Sequence, residues 1–303
     1  MAIAAQVMTF AALFLPVLAG AADALVFFGV CAASSAIAVK PAILAFHTRS
    51  LTLASAEYAR ATRMSVCSLT GVSFVGLCAG LTLTAGPAQV AHWGSYVAWA
   101  SAYLFVQGLY LMEISVITWR SSSMLYGGTR IAYGFSSLVT SAFASYMWPT
   151  RASLIIASMV SLVVACLVVE RSRGGGSVAI ARRAAGSSWD RRYARRSLSV
   201  GWSSALSDAS AQRLTLALPL MGGLGPFWAG SQRVIGGMGT VGQQVLAPPY
   251  EMQLAADLRA GGPRWRSIVL QQVLAGTALG IATVPLLLLS LRVADLLPWQ
   301  DQP

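Results

Sequence analysis

Nine long apolar stretches divide this chain, far more than one water-soluble core could use. They fall at about 1–20, 24–46, 65–84, 95–118, 129–148, 152–169, 198–221, 226–248 and 267–290. The sixth is a near-continuous run of Leu, Ile, Val and Ala. Hydrocarbon offers no partner to a backbone N–H or C=O, so each stretch is expected to satisfy its own as a helix. Hydrophobic residues make up 56% of the chain and charged residues 10%, where a soluble domain carries about 25% charged. The expected fold is therefore all-α: a polytopic membrane protein of about nine transmembrane helices in a lipid bilayer. A signal peptide competes for the first stretch. It would need a basic leading region, and the first positive charge is Lys40, so a membrane helix is the reading.

The net charge of +11 does not point to nucleic acid, because the arginines sit between apolar runs and form no groove-docking face. Membrane topology accounts for them. Cytoplasmic loops are enriched in Lys and Arg. With the N-terminus in the cytoplasm, the inside segments 47–63, 119–130, 170–197 and 249–266 hold sixteen of the twenty-one Lys and Arg. The outside segments hold only Arg151 and Arg292. The expected location is the cell membrane. Composition breaks sharply at 170–197, with eight arginines and the tract Gly174-Gly175-Gly176. This reads as a basic cytoplasmic linker between a six-helix bundle at 1–169 and a partial second bundle at 198–303.

Little in the chain suggests catalysis or a cofactor. Cys31, Cys67, Cys78 and Cys166 lie in apolar runs without a CxxC pair, and read as small buried hydrophobes. The two histidines form no HExxH, the carboxylates do not cluster, and there is no Walker loop. Residues 237–242 spell GxGxxG, but within an apolar helix rather than between a strand and a helix. Gly236, Gly239 and Gly242 read better as a close-packing surface. The chain is thus expected to be neither an enzyme nor a metal or cofactor protein.

Charges set inside the apolar runs carry the functional signal, since an ionisable group in hydrocarbon marks a pathway or substrate by default. Asp208 lies about ten residues into the seventh stretch. Arg213 and Arg233 lie at similar depth, roughly 10–12 Å below the outer surface at 1.5 Å per residue. Two readings compete: an interhelical ion pair such as Asp208 with Arg233, or a polar cavity for an anionic headgroup. Arg suits phosphate because its planar fork binds two oxygens. Gln212, Gln232, Gln243, Gln244, Ser203, Ser204 and Ser207 add groups that sugars need. Lys40 lies near the inner end of its helix, where its stem could snorkel to the interface. Glu113 reads as an interfacial residue paired with Arg120 or Arg130.

Residues 216–251, LALPLMGGLGPFWAGSQRVIGGMGTVGQQVLAPPYE, resemble the Wzx-type polysaccharide and O-antigen flippases. That family belongs to the superfamily of multidrug, oligosaccharidyl-lipid and polysaccharide exporters. The matching features are a Gly turn, an aromatic-Ala-x-x-x-Arg start to the next helix, and a polar Gln near its end. The basic loop before the seventh helix and the early Phe28-Gly29 step also fit. The resemblance implies two six-helix bundles around a central cavity, moving a polyprenyl-diphosphate-linked glycan between leaflets by alternating access. It implies substrate-binding roles for Arg213 and Arg233, and for Asp208 and Lys40 after them. The family has twelve to fourteen helices, and nine are expected here. A shortened chain, a second chain supplying the missing helices, and a variant that does not transport all fit that count. A membrane enzyme of envelope glycan assembly is the competing class, and the short outside loops argue against it. A non-transporting scaffold is favoured if the embedded charges pair off completely.

Overall fold

The computed structural model describes residues 2–46, 51, 53–184, 186 and 190–294, with parts of α1, α9 and α10 described by their backbone alone. Every regular element among them is helical. In order they are α1 (Ala2–Leu18), α2 (Ala22–Ala42), α3 (Ser55–Thr84), α4 (Ala88–Trp119) and α5 (Ser123–Ala142). A π-helical turn (Phe143–Met147) leads to α6 (Ser153–Glu170) and the short α7 (Ser177–Arg183). Then come α8 (Arg191–Leu216), a 3₁₀ turn (Leu218–Leu220), α9 (Leu224–Arg259) and α10 (Trp265–Ala294).

Four of the described helices are long and apolar enough to cross a membrane: α2, α3, α4 from Val90 onward, and α6. The expected all-α membrane architecture is present, while the count of nine spans is not reached by that measure. The reasons differ by helix. With 17 residues, α1 falls one short of the length required. Gly, Ser and Thr dilute α5, and α8 carries four arginines in its first six residues. Where α3 turns outward, Phe74, Val75 and Leu81 are more than half exposed, an apolar surface suited to lipid rather than water.

Helix α2 organises the packing, lying against α4 on one side and α8 on the other, with α9 also in contact. Its Phe27, Val30 and Cys31 join one core cluster, and Val39 and Ala42 join another. A second pair, α3 and α4, forms a long antiparallel hairpin joined at 85–87. Glycine sets how close these two come. A Cβ on Gly80 would lie 2.7 Å from the Cα of Ala98, and one on Gly94 would lie 2.5 Å from the backbone nitrogen of Thr84. Small residues at such crossings let helix backbones approach. We expect Gly80→Leu to lower the melting temperature of the detergent-solubilised protein by several degrees, consistent with about 1–3 kcal/mol of overpacking. Gly71→Ala, on the same helix with open space around it, should leave the melting temperature unchanged or raise it.

Several boundaries differ from the sequence expectation. Half of the polar stretch 47–63 forms the first turns of α3, and His92 and Trp93 lie within α4 rather than a loop. The seventh stretch begins earlier, at Arg191, because Asp190 caps it: its carboxylate accepts from the N–H of Arg192 at 2.9 Å and of Tyr193 at 3.0 Å. The eighth was expected to stop at Pro248-Pro249, yet α9 runs on to Arg259. Pro248, Met252 and Ala255 are buried at helical spacing, so packing on that face outweighs two lost backbone donors.

The basic linker is also more ordered than composition suggests. Residues 177–183 form α7, with Ser177, Ile180 and Ala181 buried. Its first amides are held by carboxylates from two other helices. Glu113 of α4 accepts from the N–H of Ser177 at 2.9 Å and from its hydroxyl at 2.6 Å. Glu170 of α6 accepts from Gly176 at 3.1 Å and from Val178 at 2.7 Å. Arg63 of α3 donates to the carbonyl of Ala184 just past the other end, at 3.1 Å. The expected pairing of Glu113 with Arg120 or Arg130 is thus replaced. Arg120 donates to the carbonyl of Gly174 at 2.8 Å, and Arg130 donates to the hydroxyls of Tyr110 and Tyr126 at 2.8 and 2.9 Å. A buried carboxyl group needs donors, and the amide and hydroxyl of Ser177 supply Glu113 while the amides of Gly176 and Val178 supply Glu170.

Candidate functional site

Antiparallel packing of α2 and α8 places residues far apart in sequence side by side. Near the C-terminal end of α2, a Cβ on Gly201 would lie 2.7 Å from the Cα of Pro41. Nearer the N-terminal end of α2, a Cβ on Gly29 would lie 3.1 Å from the Leu218 side chain. Between these contacts the Lys40 Nζ reaches 2.9 Å from one Asp208 carboxylate oxygen and 3.2 Å from the other. Side chains on a helix lean toward its N-terminus, which for Lys40 means back along α2 rather than toward its C-terminal end. Lys40 therefore leans along α8 to meet Asp208. The pair is partly open, with 46% of Lys40 and 28% of Asp208 accessible.

This is the one salt bridge among the described residues, and the expected partnership of Asp208 with Arg233 falls outside them. Arg213 lies exposed on α8, with no side-chain partner among the described residues. Arg233 belongs to α9, but its side chain lies outside the described residues, as do those of Gln243 and Gln244. Of the four expected site residues, then, the structure brings Lys40 and Asp208 together. Thr215 donates to Gln232, a hydrogen bond that ties α8 to α9.

A cleft of about 420 Å³ opens between α2, α4 and the end of α8. Val30, Ser34 and Ala38 form its α2 wall at a spacing of four, which stacks them on one helix face. The α4 wall contributes Trp93, Tyr96 and Ser101, and Leu216 closes the α8 side. Ser35 also lines it, and its hydroxyl donates to the side-chain oxygen of Gln107 at 2.6 Å. Its volume is within the roughly 300–1,000 Å³ of small-molecule sites. Hydroxyls and aromatic faces on an apolar wall suit a ligand that is part polar and part greasy. Ala38 lies two residues from Lys40, a step of about 200° around the helix, so the ion pair sits on a different face of α2 from the cleft lining.

Sequence reasoning did not single out these lining residues. The adjacent Ser34 and Ser35 in an apolar helix were the available signal, but serines are common in membrane helices and identify no partner. No group of three His, Cys, Asp or Glu side chains gathers among the described residues. No protein family, curated protein or solved structure matches the chain.

Proposed function

We propose that the chain is a membrane transporter that carries a lipid-linked oligosaccharide, a polyprenyl-diphosphate sugar, across the cytoplasmic membrane for cell-surface polysaccharide synthesis. The observation that carries this reading is the cleft between α2, α4 and α8, where Ser34, Ser35, Ser101, Trp93 and Tyr96 sit within otherwise apolar helices. Sugars are bound by hydroxyl hydrogen bonds and by the flat faces of aromatic rings, and an acyl chain by the apolar remainder. The Lys40–Asp208 pair ties α2 to α8 and is partly open, so an anion moving along α8 could compete for the lysine.

In this reading α1, α5, α8, α9 and α10 cross the membrane beside the four more apolar helices, with the N-terminus in the cytoplasm. The distribution of arginines supports that orientation. The resemblance of residues 216–251 to the Wzx-type flippases supports the substrate class.

Filling the cleft tests the proposal. Ala100 lines it and is only partly buried. Ala100→Phe is expected to cut flipping of a fluorescent lipid-linked oligosaccharide in proteoliposomes at least tenfold, with little change in melting temperature. Unchanged flipping with the cleft filled would remove the cleft from the pathway. A wild-type chain that binds its neighbours in envelope assembly but moves no lipid would instead favour the scaffold reading.

A further inference from the structure

Helix α8 turns two different faces along its first turns. Ala194, Ser197, Gly201 and Ala205 are buried at spacings of three and four and seat the helix on its neighbours. On the other side Arg195, Ser199, Trp202 and Leu206 follow one another at spacings of four, three and four, so they form one exposed stripe. Trp202 is 60% and Leu206 71% accessible. At the start of this stripe Arg192, Arg195, Arg196 and Ser199 line a hollow of about 400 Å³. The Ser199 hydroxyl donates to the carbonyl of Arg196 at 2.8 Å, so the guanidinium groups are the donors the hollow offers. None of the three arginines makes a side-chain hydrogen bond or an ion pair among the described residues.

The cluster works against the helix that carries it. Arg191 repels Arg195 and Arg192 repels Arg196, each four residues on, and positive charge at a helix N-terminus opposes the helix dipole. Asp190 is the acidic residue at this end, and its carboxylate is engaged with the amides of Arg192 and Tyr193. An anion in the hollow relieves that repulsion, and planar guanidinium groups bind phosphate oxygens in pairs. The rest of the stripe suits a phosphate that bears acyl chains. Trp202 lies about 10 Å and Leu206 about 16 Å along the axis from Arg195, at 1.5 Å per residue. Arginine, then tryptophan, then leucine matches headgroup, interface and acyl region along a helix that enters a bilayer.

From this juxtaposition of an arginine-lined hollow with an exposed Trp202–Leu206 stripe, we infer that the start of α8 is a binding site for an anionic phospholipid of the cytoplasmic leaflet. The phosphate sits among Arg192, Arg195 and Arg196, the glycerol against Trp202, and an acyl chain along Leu206. The lipid is a resident ligand, distinct from any transported substrate. The inference rests on α8 entering the membrane from the cytoplasmic side, and not on transport.

Native mass spectrometry of the full-length protein in neutral detergent tests it, with dioleoyl phosphatidylglycerol as the anionic probe and dioleoyl phosphatidylcholine as the zwitterionic one. Phosphatidylglycerol should bind at least tenfold more tightly. The triple variant Arg192→Gln, Arg195→Gln, Arg196→Gln should lose that preference. Without lipid it should melt at or above the wild-type temperature, because the repulsion is relieved, and it should lose the rise in melting temperature that phosphatidylglycerol gives the wild type. Trp202→Ala should weaken binding about threefold. Arg60→Gln, Arg264→Gln, Arg266→Gln removes as many charges from other exposed positions and should leave binding within about twofold. Equal losses in the two triple variants would overturn the inference, as would equal binding of the two lipids. Glycerol 3-phosphate binding as tightly as phosphatidylglycerol would make this a free-phosphate site and overturn the lipid assignment. Tighter binding of a polyglutamate peptide would overturn it in favour of an acidic protein partner. The membrane placement has its own readout. Trp202→Cys, in a chain whose four cysteines are replaced by alanine, should resist a charged maleimide in vesicles and react with a bilayer-permeant one. Ready reaction with the charged reagent would overturn that placement, whereas loss of lipid preference alone would leave it intact.

Discussion

Glu113→Ala is expected to lower the melting temperature of the solubilised protein by roughly 5–10 °C, the largest stability effect of any single substitution considered. Glu113 is 1% exposed and accepts from both the N–H and the hydroxyl of Ser177, which is itself fully buried. Alanine would leave two buried donors without a partner and a cavity beside them. Unsatisfied buried groups cost about 1–3 kcal/mol each. The total of about 3 kcal/mol or more would fall on α7, whose other clamp, Glu170, reaches only the flanking amides. The loosened α7 should then let trypsin cleave after Arg182 and Arg183, whose side chains are exposed but whose backbone the folded helix protects, which gives a second readout. Glu113→Gln retains one acceptor oxygen and should recover at least half of the lost stability. A Glu113→Ala protein that melts like wild type and resists trypsin at α7 would show that the clamp does not hold the segment.

The second large effect concerns Lys40 and Asp208. Breaking a fully buried pair costs about 3–5 kcal/mol, and an exposed pair is worth about 0.2–1 kcal/mol. With accessibilities of 46% and 28%, this pair falls between those limits, at about 1–2 kcal/mol of coupling in a double-mutant cycle. Transport should respond more strongly than stability. Lys40→Ala leaves Asp208 as an unpaired, partly open anion between α2 and α8, where it would repel a passing diphosphate. Flipping should fall at least tenfold. Lys40→Ala combined with Asp208→Ala removes both charges and should recover stability but not transport. Reversing the pair, with Lys40→Asp and Asp208→Lys, should restore the link between α2 and α8. Equal transport by Lys40→Ala and wild type would make the pair a structural tie alone.

Particular residues show what the sequence disclosed and what it withheld. The apolar runs located the helices because burial in hydrocarbon leaves a long compositional trace. They did not locate α7, where arginines and glycines hide a helix of about two turns held by carboxyl groups from elsewhere. Lys40 and Asp208 were legible as charges out of place. Their partnership was not, because it depends on the register of α2 against α8 across 168 positions. Within one helix, spacing fixes which residues meet, but between helices only packing does. Pro248-Pro249 misled for the related reason that a local breaker was overruled by buried neighbours at Met252 and Ala255. Arg151 read as an ordinary outside arginine, since nothing local reveals the rings of Phe27 and Tyr96 beneath it.

Reconstitution tests the transport reading most directly. The purified full-length chain is placed in liposomes with a fluorescent polyprenyl-diphosphate oligosaccharide in both leaflets, and a membrane-impermeant quencher is added outside. If the chain moves the lipid, quenching should proceed past the outer half of the signal toward completion, and should stop near one half in empty liposomes. Quenching that stops near one half with the protein present, correctly folded and inserted, would contradict transport.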